Sequence, residues 1–190
     1  TPKSWHYDIF RFFKKLNLVC FSSVFDLKSL NFLKKLKCPA FKIASFENNH
    51  LPLIESVAAT GKPVIISTGM AKINEIDQVV KIFKKNKNKN FALLKCTSTY
   101  PSDPKETNLL GIKKLKNRYK CEVGLSDHTI GIGASVASIS LGATIIEKHI
   151  VLKKKDGSVD GEFSLDPSEF KKLVYEKNNA WLALGKNKIE

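Results

Sequence analysis

Six short apolar runs punctuate the chain without the polar alternation of a half-exposed strand, at 18–21, 40–44, 63–66, 91–94, 122–125 and 144–146. Short, continuous, β-rich runs of this kind predict parallel strands buried on both faces. The segments between them carry helical spacing instead. Residues 2–16 put Trp5, Ile9, Phe12, Phe13 and Leu16 on one stripe, with Thr1 as N-cap and Pro2 in the first turn. Asp26 is placed to cap a helix bearing Leu27, Leu30, Leu33 and Leu36, and Ile73, Ile76, Val79, Val80 and Phe83 mark another. The last helix has the fullest signature: Asp166 as cap, Pro167 next, Glu169 three residues on, then Phe170, Leu173, Val174, Trp181 and Leu184 before Gly185. A helix followed by six strand–helix units, with no linker composition anywhere, predicts one α/β domain over residues 1–190 with a parallel sheet.

Periodicity does not separate an open sheet from a barrel, but the polar residues do. Every predicted strand ends in reactive side chains: Ser22-Ser23, Lys42 with Ser45, Ser67-Thr68, Cys96-Thr97, Ser126-Asp127-His128 and Glu147-Lys148-His149. An open doubly wound sheet gathers ligand groups at one switch point, whereas a (β/α)8 TIM barrel turns all its strand ends to one mouth. The barrel is therefore expected, and incomplete: about six units are present, against eight in about 250 residues for the full fold.

Charge and cysteine content refine this picture. Lys+Arg total 32 against 18 Asp+Glu, a formal +14, which raises the question of a nucleic-acid partner. The only arginines are Arg11 and Arg118, and the lysines fall on predicted polar helix faces without aromatic interleaving or zinc-finger spacing. A Lys-rich solvated surface is the better reading, and the densest run, 84–90, reads as a solvated loop. Cys20, Cys38, Cys96 and Cys121 form no C-x-x-C pair, which suits free thiols in a reducing compartment. With no signal-peptide pattern and no long apolar run, the expectation is a cytoplasmic protein without membrane contact.

Residues two apart on a strand share a face, so Ser126 points with His128, and Glu147 with His149. Sequential parallel strands lie side by side, which brings the two imidazoles together. Such a pair can hold a divalent ion and leave positions open for water and substrate. Isolated histidines more often simply pack or hydrogen-bond, so both readings stand here. Asp127 and Lys148 should face the other way, where an ion pair or a helix contact is expected. Lys42 emerges from an apolar strand and needs an anion or the Glu47 carboxylate, since a buried lone ammonium is costly. Phosphate suits it, with the Ser23, Ser45, Ser67 and Ser126 hydroxyls as neutral donors. Ser67-Thr68-Gly69 offers a turn whose backbone amides can face an anion.

Taken in order, Phe41-Lys42-Ile43-Ala44-Ser45-Phe46-Glu47, Gly61-Lys62-Pro63-Val64-Ile65-Ile66-Ser67-Thr68-Gly69-Met70, Cys96-Thr97-Ser98-Thr99-Tyr100-Pro101, Gly124-Leu125-Ser126-Asp127-His128-Thr129 and Ile146-Glu147-Lys148-His149 resemble the sialic acid synthase family. The resemblance runs the length of the chain. Lys42-Ile43-Ala44-Ser45-Phe46-Glu47 and 159–165 are more similar to its pseudaminic acid branch. It implies a transferase that condenses phosphoenolpyruvate with a 2,4-diacetamido-2,4,6-trideoxy hexose, giving a nonulosonic acid and phosphate. An N-acetylneuraminic or legionaminic acid synthase is the alternative, and a non-catalytic phosphate- or partner-binding remnant is the alternative of another class.

By the same resemblance, His128 and His149 bind Mn²⁺ or Mg²⁺, while Ser23, Lys42, Ser45, Ser67 and Ser126 surround phosphoenolpyruvate. Glu47, Tyr100, Glu147 and Asp160 lie near the sugar or the reacting centre, with Glu147 the first candidate for proton transfer and Glu47 the second. The family has Thr-Pro where Ser23-Val24 stands, so a hydroxyl is kept and a rigid proline is not. The resemblance also implies two further barrel strands, a small C-terminal antifreeze-like domain and a homodimer for the full-length protein.

Overall fold

The computed structural model describes residues 1–154 and 157–185. By internal contacts these fall into two compact units, one of residues 1–66 and 71–91, the other of 67–70 and 92 onward.

The first unit alternates helix and strand: α1 (His6–Lys15), β1 (Ser22–Ser23), α2 (Leu27–Lys35), β2 (Phe41–Ile43), α3 (Leu51–Ala58), most of β3 (Val64–Ser67) and α4 (Ile73–Lys85). Its strands are parallel and pair in chain order, Ser23 beside Lys42 and Lys42 beside Ile65. Phe41 and Ile43 turn into an apolar layer with Leu33, Leu53, Ile54 and Phe83, all fully or nearly fully buried. Their neighbour Lys42 necessarily points to the opposite face. Asp26 caps α2 as predicted, its carboxylate accepting from the Ser29 amide while the Ser29 hydroxyl accepts from the Asp26 amide.

Three expectations change here. The run at 18–21 is not strand; pairing begins only at Ser22, and Val19 is 74% exposed. Apolar content marked the approach to the strand, but the ladder forms where Ser22 and Ser23 meet Phe41 and Lys42. The stripe on α1 is amphipathic as read, yet no residue of that helix is fully buried, and its start is a 3₁₀ turn at Lys3–Trp5 with no side-chain cap. Lastly, the run at 84–90 is not all solvated loop. Lys84 and Lys85 close α4, and Asn88 is buried, donating to the Ala58 and Lys62 carbonyls while accepting from the Asn90 amide. One side-chain amide thereby bonds three backbone groups, at the end of α3 and in the loops around it.

The second unit holds β4 (Phe91–Cys96, from Ala92), α5 (Gly111–Tyr119), β5 (Glu122–Asp127), α6 (Gly133–Ser140), β6 (Ile146–Lys148) and α7 (Pro167–Ala183). The segment at 67–70 joins it through Thr68, whose amide and hydroxyl both donate to the Leu94 carbonyl. Strands β4, β5 and β6 are again parallel and sequential, with Cys96 beside Ser126 and Ser126 beside Glu147. Asp166 caps α7 with a full capping box to Glu169. Of the apolar stripe on α7 only Leu173 is buried; Trp181 is 60% exposed and lines an open groove with Phe170, Val174 and Ile146.

Gly124 sets the spacing of the interior face. A Cβ there would lie 2.3 Å from the Ile145 carbonyl oxygen and 2.7 Å from a Leu94 methyl. Gly124→Ala should therefore cost about 1–3 kcal/mol, the usual range for overpacking. Urea unfolding checks this as a lower midpoint at unchanged slope. Among the described residues, no helix is long and apolar enough to cross a membrane.

Candidate active site

In the second unit the strand tips carry the polar groups. Cys96, Ser126 and Glu147 form one row across β4, β5 and β6, and the Ser126 hydroxyl donates to Glu147 Oε1 at 2.7 Å. Two residues further along, the His128 and His149 rings stand 5.4 Å apart, centroid to centroid. The pairing expected from alternation and strand order is thus realised in space.

One of the two imidazoles has a nitrogen held by a hydrogen bond. His128 Nδ1 lies 3.0 Å from the Thr97 carbonyl, which can only accept, so that nitrogen carries a proton. His149 Nδ1 faces Asp160 Oδ2 at 3.6 Å, too long for a hydrogen bond. Burial is the largest influence on His128 and acts downward. Hydrogen bonding to Cys96 and Thr97, with the Cys96 and Glu147 charges, outweighs it and leaves the pKa raised. Burial also lowers the pKa of His149, and the neighbouring His128 adds to the effect against the pull of Asp160 and Glu147. One ring is thus biased toward the neutral form and the other away from it, as close imidazoles demand.

Aromatic side chains wall this corner. Tyr100 packs on His128 at 4.4 Å, and Phe163 touches His128, His149 and Tyr100 at 5.9, 5.0 and 5.7 Å between centroids. Burial raises the Tyr100 hydroxyl pKa, followed by the charge at Cys96, so the phenol stays protonated. Sequence reading placed Phe163 in a motif but gave it no role, and missed the Thr97 carbonyl altogether. A backbone acceptor leaves no trace in residue type. Ser67 is buried at the tip of β3, but the Thr68 amide is committed to Leu94, so the proposed Ser67-Thr68-Gly69 turn does not offer that amide to an anion.

The first unit carries its own polar group. Ser23 and Lys42 are lateral partners on β1 and β2 and share a face. Lys42 is 7% exposed, and its ammonium donates to the Ile43 carbonyl at 3.1 Å. Ser45 is buried at the turn that follows, and Glu47 keeps one carboxylate oxygen, Oε2, buried with no hydrogen-bond partner. A buried cation beside hydroxyls suits an anion such as phosphate, and a buried unpaired carboxylate oxygen calls for a donor.

As to a divalent ion, the described residues contain no group of three or more His, Cys, Asp or Glu side chains placed to hold one. Two adjacent imidazoles nevertheless fit such an ion, if water and substrate oxygens complete its shell.

Parallel strands followed by helices, with polar groups gathered at the strand tips, define the class as α/β of the partial-barrel type. Comparison with known proteins sharpens that class: the chain matches the NeuB family over residues 1–189, and it belongs to that family. It is 44% identical over all 190 residues to a pseudaminic acid synthase of Campylobacter jejuni subsp. jejuni serotype O:2, covering 55% of that protein. It is 40% identical over 182 residues to an N,N'-diacetyllegionaminic acid synthase of the same organism, covering 95% of this chain and 54% of that one. Among solved structures, an N-acetylneuraminic acid synthetase from Leptospira borgpetersenii serovar Hardjo-bovis in complex with citrate superposes with a TM-score of 0.96 at 37% identity. That match covers all of this chain and 66% of the other, and it supports the incomplete-barrel expectation. The chain spans about half the length of the curated relatives it matches.

Proposed function

We propose that this chain is the catalytic barrel portion of a phosphoenolpyruvate-dependent nonulosonic acid synthase of the pseudaminic acid branch. The observation that carries the reading is the cluster in the second unit, where Ser126 is bonded to Glu147 and the two imidazole rings stand 5.4 Å apart. The 44% identity to a pseudaminic acid synthase over the whole chain favours that branch.

In this reading Lys42 and the Ser23, Ser45, Ser67 and Ser126 hydroxyls bind phosphoenolpyruvate, neutralising and orienting its phosphate. Tyr100, Asp160 and Glu47 contact the acetamido sugar. His128 and His149 would hold Mn²⁺ or Mg²⁺, which when bound supplies Lewis-acid polarisation of the sugar aldehyde. The methylene carbon of phosphoenolpyruvate forms a bond to the aldehyde carbon, water adds to the adjacent oxocarbenium carbon, and phosphate leaves by carbon–oxygen cleavage. Glu147, fixed by Ser126, takes the proton from the incoming water or returns one to the aldehyde oxygen. The assembly proposed is a cytoplasmic homodimer without a nucleic-acid partner.

Phosphate release from phosphoenolpyruvate tests this. With Mn²⁺ present, release is expected with a 2,4-diacetamido-2,4,6-trideoxy-altrose and far less with N-acetylmannosamine. The reverse preference would move the chain to another branch, and no release with either sugar would refute the synthase reading for this chain.

A further inference from the structure

The proposed chemistry uses one face of β5 and β6; the other face holds a buried charge pair that it leaves unexplained. Asp127 and Lys148 are lateral partners on these strands, one residue before each histidine, and Lys148 Nζ lies 3.1 Å from Asp127 Oδ2. The two side chains are 0% and 1% exposed. A buried pair of this kind gains little for stability over apolar residues of the same shape, so its presence asks for another reason.

Its hydrogen bonds supply one. Asp127 Oδ1 accepts from the Thr129 amide at 2.9 Å and the Thr129 hydroxyl at 2.8 Å, and Oδ2 accepts from Ser135 at 2.5 Å. Lys148 also donates to the Thr129 carbonyl. Residues 127 and 129 are therefore both tied to Lys148, with His128 between them. The His128 carbonyl accepts from the Ser102 amide at 2.9 Å, and the His149 carbonyl from the Leu165 amide at 2.9 Å. Each histidine backbone is held on its own side, while the ion pair and the Lys148–Thr129 bond tie the two strands together beside the histidines.

We infer that the Asp127–Lys148 pair is a positioning device that fixes the separation of the His128 and His149 rings. For ring spacing the inference stands alone; for metal affinity it rests on the synthase reading above. Lys148→Met by itself would strand a buried carboxylate, so the informative variant is Asp127→Asn with Lys148→Met, which is neutral and close in shape. Ser135→Ala, which removes one donor to Asp127 and no charge, is the milder companion.

The chain has four histidines, so ring protons can be assigned. In the metal-free wild type a nuclear Overhauser peak between the His128 and His149 rings is expected. In the folded double variant that peak should be lost, and Mn²⁺ affinity by calorimetry should weaken about 10–100-fold, the usual effect of removing groups that orient ligands. Ser135→Ala should shift both readings in the same direction by less, and it decides the matter if the double variant has no cooperative melt. A purely structural role would lower the melting temperature while leaving peak and affinity at wild-type values, and that result overturns the inference. If wild type and His128→Ala bind Mn²⁺ equally, the metal reading fails instead, and the ring peak alone decides the positioning role.

Discussion

His128→Ala is expected to lower phosphate release about 10³-fold, since Lewis-acid stabilisation is worth several kcal/mol and each factor of ten is about 1.4 kcal/mol. The loss should come with weakened Mn²⁺ binding rather than unfolding. The buried ring packs on Tyr100 and Phe163 and is held by hydrogen bonding to the Thr97 carbonyl and to Cys96, contacts local to the strand tip. Circular dichroism and calorimetry on the same sample separate the two outcomes. A variant that kept full activity in the presence of a chelator would remove the metal from the mechanism.

Glu147→Gln should reduce kcat by about 10²–10⁴-fold, the range for a positioned acid–base group, with little change in KM for phosphoenolpyruvate. Glutamine keeps an oxygen that can accept the Ser126 hydrogen bond, now 2.7 Å long, so binding geometry survives while proton acceptance does not. Steady-state phosphate release at varied phosphoenolpyruvate gives the split directly. Undiminished kcat would transfer the role to Glu47, whose buried Oε2 lacks a hydrogen-bond partner.

Much of this site was readable before any coordinates. Alternation put Ser126 with His128 and Glu147 with His149, and strand order brought the imidazoles together, because both rules are geometric and insensitive to context. The capping residues Asp26 and Asp166 were readable for the same reason, being local. What failed was non-local. The apolar stripes of α1 and α7 report amphipathicity but not what covers them, and Trp5 and Trp181, which lie on those stripes, are exposed. The run at 18–21 was taken for strand because apolar content does not say where the ladder begins. Asn88 sat in a polar tract whose composition hid its burial, and the Thr97 carbonyl belongs to a group every residue has.

The alternation along β5 and β6 also guards against misfolding. Were β6 to slide by one residue against its neighbour, Glu147 and His149 would turn to the buried face that holds the Asp127 carboxylate, and Lys148 would leave its partner. Desolvating a carboxylate and an imidazole there without partners would cost several kcal/mol. The polar side chains at the strand tips thus also act as proofreaders of strand alignment, penalising the slipped chain.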